Sequence, residues 1–344
     1  MKNRHYVIFA IILVALAVIY VTQRQSSRIT SMETGYVTLL PDLKTDDVTK
    51  IKVYQKSFPE SELILARKGA GWVIENRYDA HAVPDRVTSL LKDLGEMKGE
   101  LRSSAADNLS TFWLGDDEAV HIELFGSDNQ KKADILFGKK GQSGETTFVR
   151  KAGDDKVYSA LIRLNSIFQV WDKSQPLDMR RWLELRLINI KDWSKAKRVE
   201  FQFPDAPIVV FEKQSAQPQE QNAKNNATWK KVEPADTPQP RSEDIVKVVT
   251  ALATMRGEDV LDPSKIQEYG LDSAPYRAIL TMEDGASYEV LLAPQGNNGY
   301  FGTLQDSKII YFVPPEAFAR TFGKAKKLLG GETESGQEQA PPQK

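Results

Sequence analysis

Apolar and polar residues alternate in the same way in both halves of the chain. In the first half the alternation covers residues 119–125 (AVHIELF) and 132–138 (KADILFG), and in the second half it covers 276–282 and 287–293. A period of two residues is typical of strands with one buried face. The Asp-Gly pair at 284–285 is a strong signal for a hairpin turn. The pattern therefore predicts an antiparallel sheet in each half.

Each half also carries one stretch with helical spacing. Its apolar residues recur at intervals of three and four, which predicts an amphipathic helix. In the two halves these residues are Val83, Val87, Leu90, Leu91, Leu94 and Met97, and Ile245, Val248, Val249, Leu252 and Met255. A strand with a tryptophan, Trp72 or Trp229, precedes each helix, and the similar tetrapeptides MKGE (97–100) and MRGE (255–258) follow.

The common order of these elements predicts a duplicated unit. We expect an α+β fold with two tandem domains, each a mainly antiparallel sheet with two helices. The second helix of each copy is predicted at 159–171 and at 315–328. The expected first repeat is 36–175 and the second is 196–328, and residues 176–195 form a structured bridge between them. Two large copies indicate two similar domains and not a solenoid of short units.

The two ends of the chain have a different character. Residues 6–21 (YVIFAIILVALAVIYV) contain no charge, and Lys2 and Arg4 precede them. This predicts an N-terminal transmembrane helix within residues 1–28, acting as a signal anchor, with a cleaved signal peptide as the alternative. The expected location is the inner membrane, with one membrane pass and the bulk of the chain periplasmic. Residues 329–344 are expected to form a disordered tail.

Composition narrows the classes of function. The net charge is −1, with 46 basic and 47 acidic residues, so the basic excess of a nucleic-acid binder is missing. The chain has no cysteine, and its three histidines, His5, His81 and His121, lack the spacing of metal ligands. Paired acids such as 116–117 are typical of turns. We therefore expect no cofactor, no metal and no catalytic residue.

Two groups of residues are the candidates for binding a partner. Interface hot spots are typically aromatic or arginine residues. One candidate is the loop with Tyr269, Leu271 and Asp272, and the other is the bridge with Arg180, Arg181 and Trp182. The alternative for Tyr269 and Leu271 is that they pack beneath the sheet as part of the core.

Three segments resemble the DUF4340 family. They are TWKKVEPADTPQPRSEDIVKVVTALATMRGEDV (228–260), YGLDSAPYRAILTMEDGASYEVLLA (269–293) and LDMRRWLELRLINI (177–190). The resemblance covers about residues 45 to 325 and is better in the second copy, because FWLGDDEA (112–119) replaces the usual Tyr-Gly-Leu-Asp in the first.

The resemblance implies a single-pass membrane protein with an accessory, binding or scaffolding role, and its expected partners are ABC transporter permease and ATPase subunits of the gliding-motility type or other envelope proteins. The expected function is thus a non-enzymatic, membrane-anchored periplasmic accessory or scaffold protein of an envelope complex. A cell-wall or polysaccharide-binding protein is the alternative, and a hydrolase is a remote one.

Overall fold

The computed structural model describes residues 35–214 and 228–330 of the chain. The predicted transmembrane segment 6–21, residues 215–227 and the predicted tail beyond residue 330 lie outside these residues. In the part that is described, no helix is long and apolar enough to cross a membrane.

Within these residues the chain forms eighteen strands, numbered in chain order. The first ten, β1 to β10, are Val37–Thr38, Val48–Gln55, Leu63–Lys68, Gly71–Ile74, Ala80–His81, Lys98–Ser103, Val120–Gly126, Lys131–Lys140, Thr147–Lys151 and Val157–Ala160. The next eight, β11 to β18, are Ala196–Gln202, Val209–Gln214, Thr228–Glu233, Asp259–Leu261, Tyr276–Met282, Ser287–Pro294, Tyr300–Leu304 and Ile310–Val313.

The helices are fewer and mostly short. The α-helices α1 to α5 are Pro84–Gly95, Leu164–Phe168, Ser242–Ala253, Pro315–Phe318 and Lys324–Lys327, and a π-helical turn, Ala319–Gly323, lies between the last two. Short 3-10 turns are Thr45–Asp47, Pro59–Ser61, Ala106–Asn108, Ser110–Phe112, Met179–Trp182, Trp193–Lys195 and Pro263–Lys265.

The chain divides into two compact units. The first unit consists of Ser89–Leu177 and the described part of Met1–Glu62, and its strands follow the order β1-β6-β10-β9-β8-β7-β2. The second unit consists of Leu63–Thr88 and the described part of Asp178–Lys344. It holds β3-β4-β5 and an eight-stranded sheet with the order β13-β12-β11-β15-β16-β17-β18-β14. The strand pairs whose register is resolved in either unit are antiparallel.

The two sheets repeat one strand order. The run β6-β10-β9-β8-β7-β2 of the first unit has the same chain order as β14-β18-β17-β16-β15-β11 of the second. The hairpin β3-β4 matches β12-β13 in the same way. The domain limits 36–175, 176–195 and 196–328 stay predictions. The two compact units are not continuous in sequence, because Leu63–Thr88 belongs to the second unit.

The predicted fold class is wrong. We expected an N-terminal transmembrane helix and two α+β domains with two helices each. The described chain is instead mostly antiparallel strand in two sheets, with few helices, and none of these could span a membrane. The predicted helix 159–171 begins inside strand β10 and is reduced to the five residues of α2, because Gln169 leaves helical geometry with a φ of 56°. The predicted helix 315–328 is divided into three short pieces.

Helices α1 and α3 each bury one apolar face, as helical spacing requires. The buried residues are Val87, Leu90, Leu91 and Leu94 in α1 and Ile245, Val248, Val249 and Leu252 in α3, and Met97 and Met255 are buried just after the two helices end. Trp72 and Trp229 are also buried, with 8% and 6% of their surface exposed. These residues supply much of the large apolar surface in the cores.

The repeated tetrapeptides MKGE and MRGE mark the same packing arrangement in both units. Leu39 donates a backbone hydrogen bond to the Met97 carbonyl (2.9 Å), and Leu187 donates one to the Met255 carbonyl (3.0 Å). A Cβ on Gly257 would lie 2.8 Å from the Phe312 carbonyl oxygen. The motif therefore needs glycine because another strand passes too close for any side chain.

Replacement of Gly257 by alanine tests this close approach. Gly257→Ala should lower the free energy of unfolding by about 1–3 kcal/mol, because overpacking forces the backbone of β18 to move. Gly71→Ala is the matched control in the same unit, since no heavy atom lies within 4 Å of its Cβ. Urea denaturation should show a change within about 0.5 kcal/mol for the control. Equal stability of the two variants would contradict the packing argument.

Candidate functional site

The loop with Tyr269, Leu271 and Asp272 is mostly part of the core. Leu271 is 2% exposed and packs with Ala293 and Ile310. The Tyr269 ring stacks on Phe301, with centroids 4.3 Å apart and planes inclined by 23°. Burial raises the pKa of Tyr269 above its usual value. Asp272 is exposed, so it is the one residue of this predicted group whose side chain is free of the core.

The first copy forms the same turn with a different sequence. Gly270 has a φ of 67° and lies just before Leu271, whose backbone N–H bonds the Ile266 carbonyl. Trp113 has a φ of 58° and lies just before Leu114, whose N–H bonds the Leu109 carbonyl. A left-handed conformation costs a non-glycine residue roughly 1–2 kcal/mol. The local packing therefore keeps this turn even where tryptophan occupies the glycine position.

Packing explains why the turn is kept. Leu114 is fully buried with Ala119 and Leu136, as Leu271 is buried in the second unit. Phe112 packs on Phe148 with centroids 4.7 Å apart, which matches the Tyr269–Phe301 pair. Both loops thus insert a leucine beneath an aromatic pair.

The bridge residues divide into buried and exposed ones. Trp182 is 2% exposed, and its carbonyl accepts a hydrogen bond from the Val83 N–H (2.9 Å). It is therefore a core residue. Arg180 is exposed and lies 3.4 Å from the Asp178 carboxylate, which also caps the 3-10 turn through the Arg180 N–H. Arg181 is exposed.

Arg181 belongs to a group that we call the arginine patch, formed by Arg86, Arg181 and Arg256. All three are exposed members of the second unit. Partial burial, and then the positive charges of Arg181 and Arg256, lower the pKa of Arg86. Among the residues that the structure describes, none of the three has a carboxylate in ion-pair contact. The patch is thus a set of like charges that make no direct ion pair.

A buried acid lies beside the patch but is already engaged. The Glu184 carboxylate is 5% exposed, and Arg186 binds it through Nε (2.9 Å) and a terminal nitrogen (2.7 Å). Burial acts to raise the pKa of Glu184, but hydrogen bonds from the Arg186 side chain and backbone outweigh it and lower the pKa. Arg186 in turn pairs across a β-bridge with Arg256. Glu184 therefore forms its ion pair with Arg186 and not with an arginine of the patch.

Each unit has a cleft between the end of its long helix and its closing segment. The cleft of the second unit has a volume of about 370 Å³ and is lined by Arg256, Glu258 and Arg320, among others. The cleft of the first unit has a volume of about 580 Å³. Its charged residues are Asp93, Glu96, Glu145 and Arg163. The two clefts therefore occupy matching places in the repeat with opposite charge, and the basic one adjoins the arginine patch.

The histidines have structural surroundings. His121 is buried and stacks on Tyr54 with ring centroids 4.6 Å apart, and its Nε2 lies 2.8 Å from the Asp116 carbonyl. Asp116 pairs with the buried Arg150, and Asp117 lies 3.0 Å from Lys56. Over residues 35–214 and 228–330, no group of three His, Asp or Glu side chains could hold a metal ion.

Sequence reasoning found only one member of the arginine patch. Arg181 was a candidate, whereas Arg86 is on helix α1 and Arg256 is inside the MRGE motif. Sequence separation hides the group, because the three residues meet only through β-sheet pairing of the bridge. The one available signal is that Arg256 stands at the variable position of a repeated motif.

The Glu184–Arg186 pair predicts a pH dependence. Because the folded state lowers the pKa of Glu184, its stabilisation is complete above the ordinary value near 4.5 and is lost as the pH falls through the folded value. Glu184→Gln should lower the free energy of unfolding at neutral pH by about 1–3 kcal/mol. Its difference from the parent should shrink in acid, as followed by urea denaturation against pH.

The exposed Glu268, 4.0 Å from Lys265, is the matched control for Glu184. Glu268→Gln should change stability by less than about 0.5 kcal/mol at any pH, because exposed ion pairs contribute little. A Glu184→Gln effect that does not vary with pH would show that the pair is not the source.

Replacement of Tyr269 distinguishes packing from partner binding. Tyr269→Ala should destabilise the second unit by about 1–3 kcal/mol, because it removes a half-buried aromatic ring from the contact with Phe301. Tyr269→Phe keeps the ring and should have nearly parental stability. Thermal unfolding measures both. Unchanged stability of Tyr269→Ala, together with loss of a binding partner, would make Tyr269 an interface residue instead.

Comparison with known proteins gives one match. No curated protein and no solved structure matches the chain significantly. The sequence model of DUF4340, described as a domain of unknown function, matches residues 72–274, which is more than half of the chain. The match begins at Trp72 in the first copy and ends shortly before strand β15 in the second. The chain therefore belongs to the DUF4340 family.

Proposed function

We propose that this protein is a non-enzymatic accessory or scaffold protein of an envelope complex, and that its arginine patch binds an acidic segment of a partner protein. The complex is of the ABC-transporter or gliding-motility type, and the protein acts at the periplasmic side of the inner membrane. The type of complex and the location follow from the family resemblance. The binding mode follows from the second unit.

The observation that carries the proposal is that Arg86, Arg181 and Arg256 are exposed and form no ion pair with a carboxylate of the described chain. Like charges placed together raise the free energy of the isolated protein, and partial burial and then the charges of Arg181 and Arg256 lower the pKa of Arg86. A carboxylate from a partner would relieve this repulsion and could bind two N–H groups of one guanidinium. Arginine is also among the residues that most often dominate interface energies.

The backbone beneath the patch is held by secondary structure and hydrogen bonds, which favours binding. Arg86 is on helix α1, and Arg256 is held by the hydrogen bonds of Leu185 and Leu187 to the MRGE strand. Arg181 directly precedes the buried Trp182. Side chains on ordered backbone lose less conformational freedom on binding than those on loose loops. The patch is thus arranged as a pre-formed surface.

Charge reversal tests the proposal. Arg181→Glu with Arg256→Glu should abolish co-purification of the permease and ATPase subunits with the tagged full-length chain from membranes of its native host. The fold should be unchanged by circular dichroism and thermal unfolding, because both side chains are exposed. Parental binding should also weaken as the salt concentration rises, since exposed charges are screened.

Two exposed lysines of the same unit provide the matched control. Lys197→Glu with Lys230→Glu changes the net charge by the same amount away from the patch, and both side chains are exposed. This variant should keep the partner subunits. Retention of the partners by the arginine variant, or equal loss in both variants, would refute the proposed role of the patch.

A further inference from the structure

One strand position in the repeat is covered in the second unit, whereas in the first unit no segment of the described residues covers it. In the second unit, residues 182–187 have neighbours on both sides. On one side Leu187 donates to the Met255 carbonyl, and the Gly257 N–H donates to the Leu185 carbonyl (2.9 Å). On the other side the Glu184 N–H donates to the His81 carbonyl (2.7 Å).

Residues 81–83 are the cover on that second side. The Val83 N–H donates to the Trp182 carbonyl, and Ala82 forms an antiparallel bridge with Leu183. The Ala82 N–H points the other way and donates to the Trp72 carbonyl (2.8 Å). The outward groups of this cover are therefore the carbonyl of His81 and the N–H of Val83.

The first unit contains the same strand position without such a cover. Leu39 donates to Met97 as Leu187 donates to Met255, so Val37 corresponds to Leu185 and Tyr36 to Glu184. Strand β1 pairs with β6 on one side, with Val37 opposite Gly99. It is the terminal strand on its other side within the described chain.

The exposure of the two positions differs accordingly. Tyr36 and Val37 are 54% and 48% exposed, whereas Glu184 and Leu185 are 4% and 8% exposed. Soluble proteins normally protect a sheet edge with charge, proline or a covering segment. Large apolar side chains on a bare edge instead indicate a surface that another strand covers.

The chain also contains a second segment, residues 239–241, that is equivalent to the cover 81–83. Residues 239–241 precede helix α3 as residues 81–83 precede α1, so Gln239 corresponds to His81 and Arg241 to Val83. In the part of the chain that the structure describes, the Gln239 carbonyl and the Arg241 N–H form no backbone hydrogen bond of the kind made by 81–83.

Side-chain hydrogen bonds hold residues 239–241 in position beside β13. The Gln239 side chain bonds both the N–H and the carbonyl of Lys231 (3.1 and 2.7 Å), which holds the segment against β13. Pro240 occupies the position equivalent to Ala82, whose N–H points inward. Proline at this position therefore removes no N–H donor from the outward side. The outward carbonyl and N–H are both retained.

We propose that residues 239–241 of one chain pair with β1 of a second copy of this chain, in a head-to-tail contact. The Tyr36 N–H of one copy donates to the Gln239 carbonyl of the next, as Glu184 donates to His81. The donor and acceptor surfaces are different parts of the chain, so the contact is heterologous and leads to a ring or a linear assembly. The contact does not use the arginine patch and goes beyond the proposed function.

The first test is self-association of the purified full-length chain. The average mass from light scattering should rise with protein concentration. Val37→Lys places a charge on the edge, and Tyr36→Pro removes its outward N–H, so each should keep the chain monomeric while leaving thermal unfolding unchanged. The charge-reversed arginine variant should still associate. A parent that stays monomeric at every concentration, or association that survives both edge variants, would overturn the proposal.

The second test locates the contact by disulfide formation. The chain has no cysteine, so introduced ones report alone. Residues 36 and 239 correspond to the facing pair 184 and 81, a separation that a disulfide can span. A mixture of Tyr36→Cys and Gln239→Cys chains should form the mixed dimer under mild oxidation. Equal yields with the exposed Lys308→Cys, which lies away from β13, in place of Gln239→Cys would show random collision and overturn the proposal.

Discussion

Backbone hydrogen bonding along residues 182–187 is the interaction on which the second unit depends. These residues connect the MRGE strand to the segment 81–83, two parts of the chain that are far apart in sequence. Buried backbone N–H and C=O groups must find partners, because an unpaired one costs as much as a lost hydrogen bond. Glu184 and Leu185 can be buried only because both edges of their strand are paired. The arginine patch follows from the same pairing, since Arg181 and Arg256 are attached to its two strands.

The two copies satisfy one set of packing needs with different side chains. Glycine stands in both MKGE and MRGE, where a Cβ on Gly257 would lie 2.8 Å from a backbone oxygen and a Cβ on Gly99 would make tight contacts of 3.0 Å with two side chains. The second residue of the motif faces outward and is free to change from Lys98 to Arg256. Charge at such a position does not affect the core. The opposite charges of the two clefts come from exposed positions, with Asp93, Glu96 and Glu145 lining one cleft and Arg256 and Arg320 lining the other.

Periodicity predicted the elements that rest on local sequence. The long helices α1 and α3 and the strands β7, β8, β15 and β16 lie where alternation or helical spacing placed them. The predicted fold class was wrong in part because the spacing of apolar residues in the closing segments predicts long helices. In the first unit strand β10 takes the start of this segment, and the left-handed geometry of Gln169 ends the helix. The site was only partly visible for another reason. Arg181 could be named from its neighbours, but its proximity to Arg86 and Arg256 is created by long-range pairing, which no local pattern encodes.

The two proposed surfaces differ in the physics that would hold a partner. The arginine patch acts through charge, so its attraction extends beyond contact distance and is screened by salt. The bare edge of β1 acts through backbone hydrogen bonds and the apolar surface of Tyr36 and Val37, which are short-range and largely independent of salt. A scaffold protein needs both kinds of contact, one to select a partner by charge and one to repeat a geometry. The two surfaces share no residue, since the patch consists of Arg86, Arg181 and Arg256 and the pairing contact consists of β1 and residues 239–241.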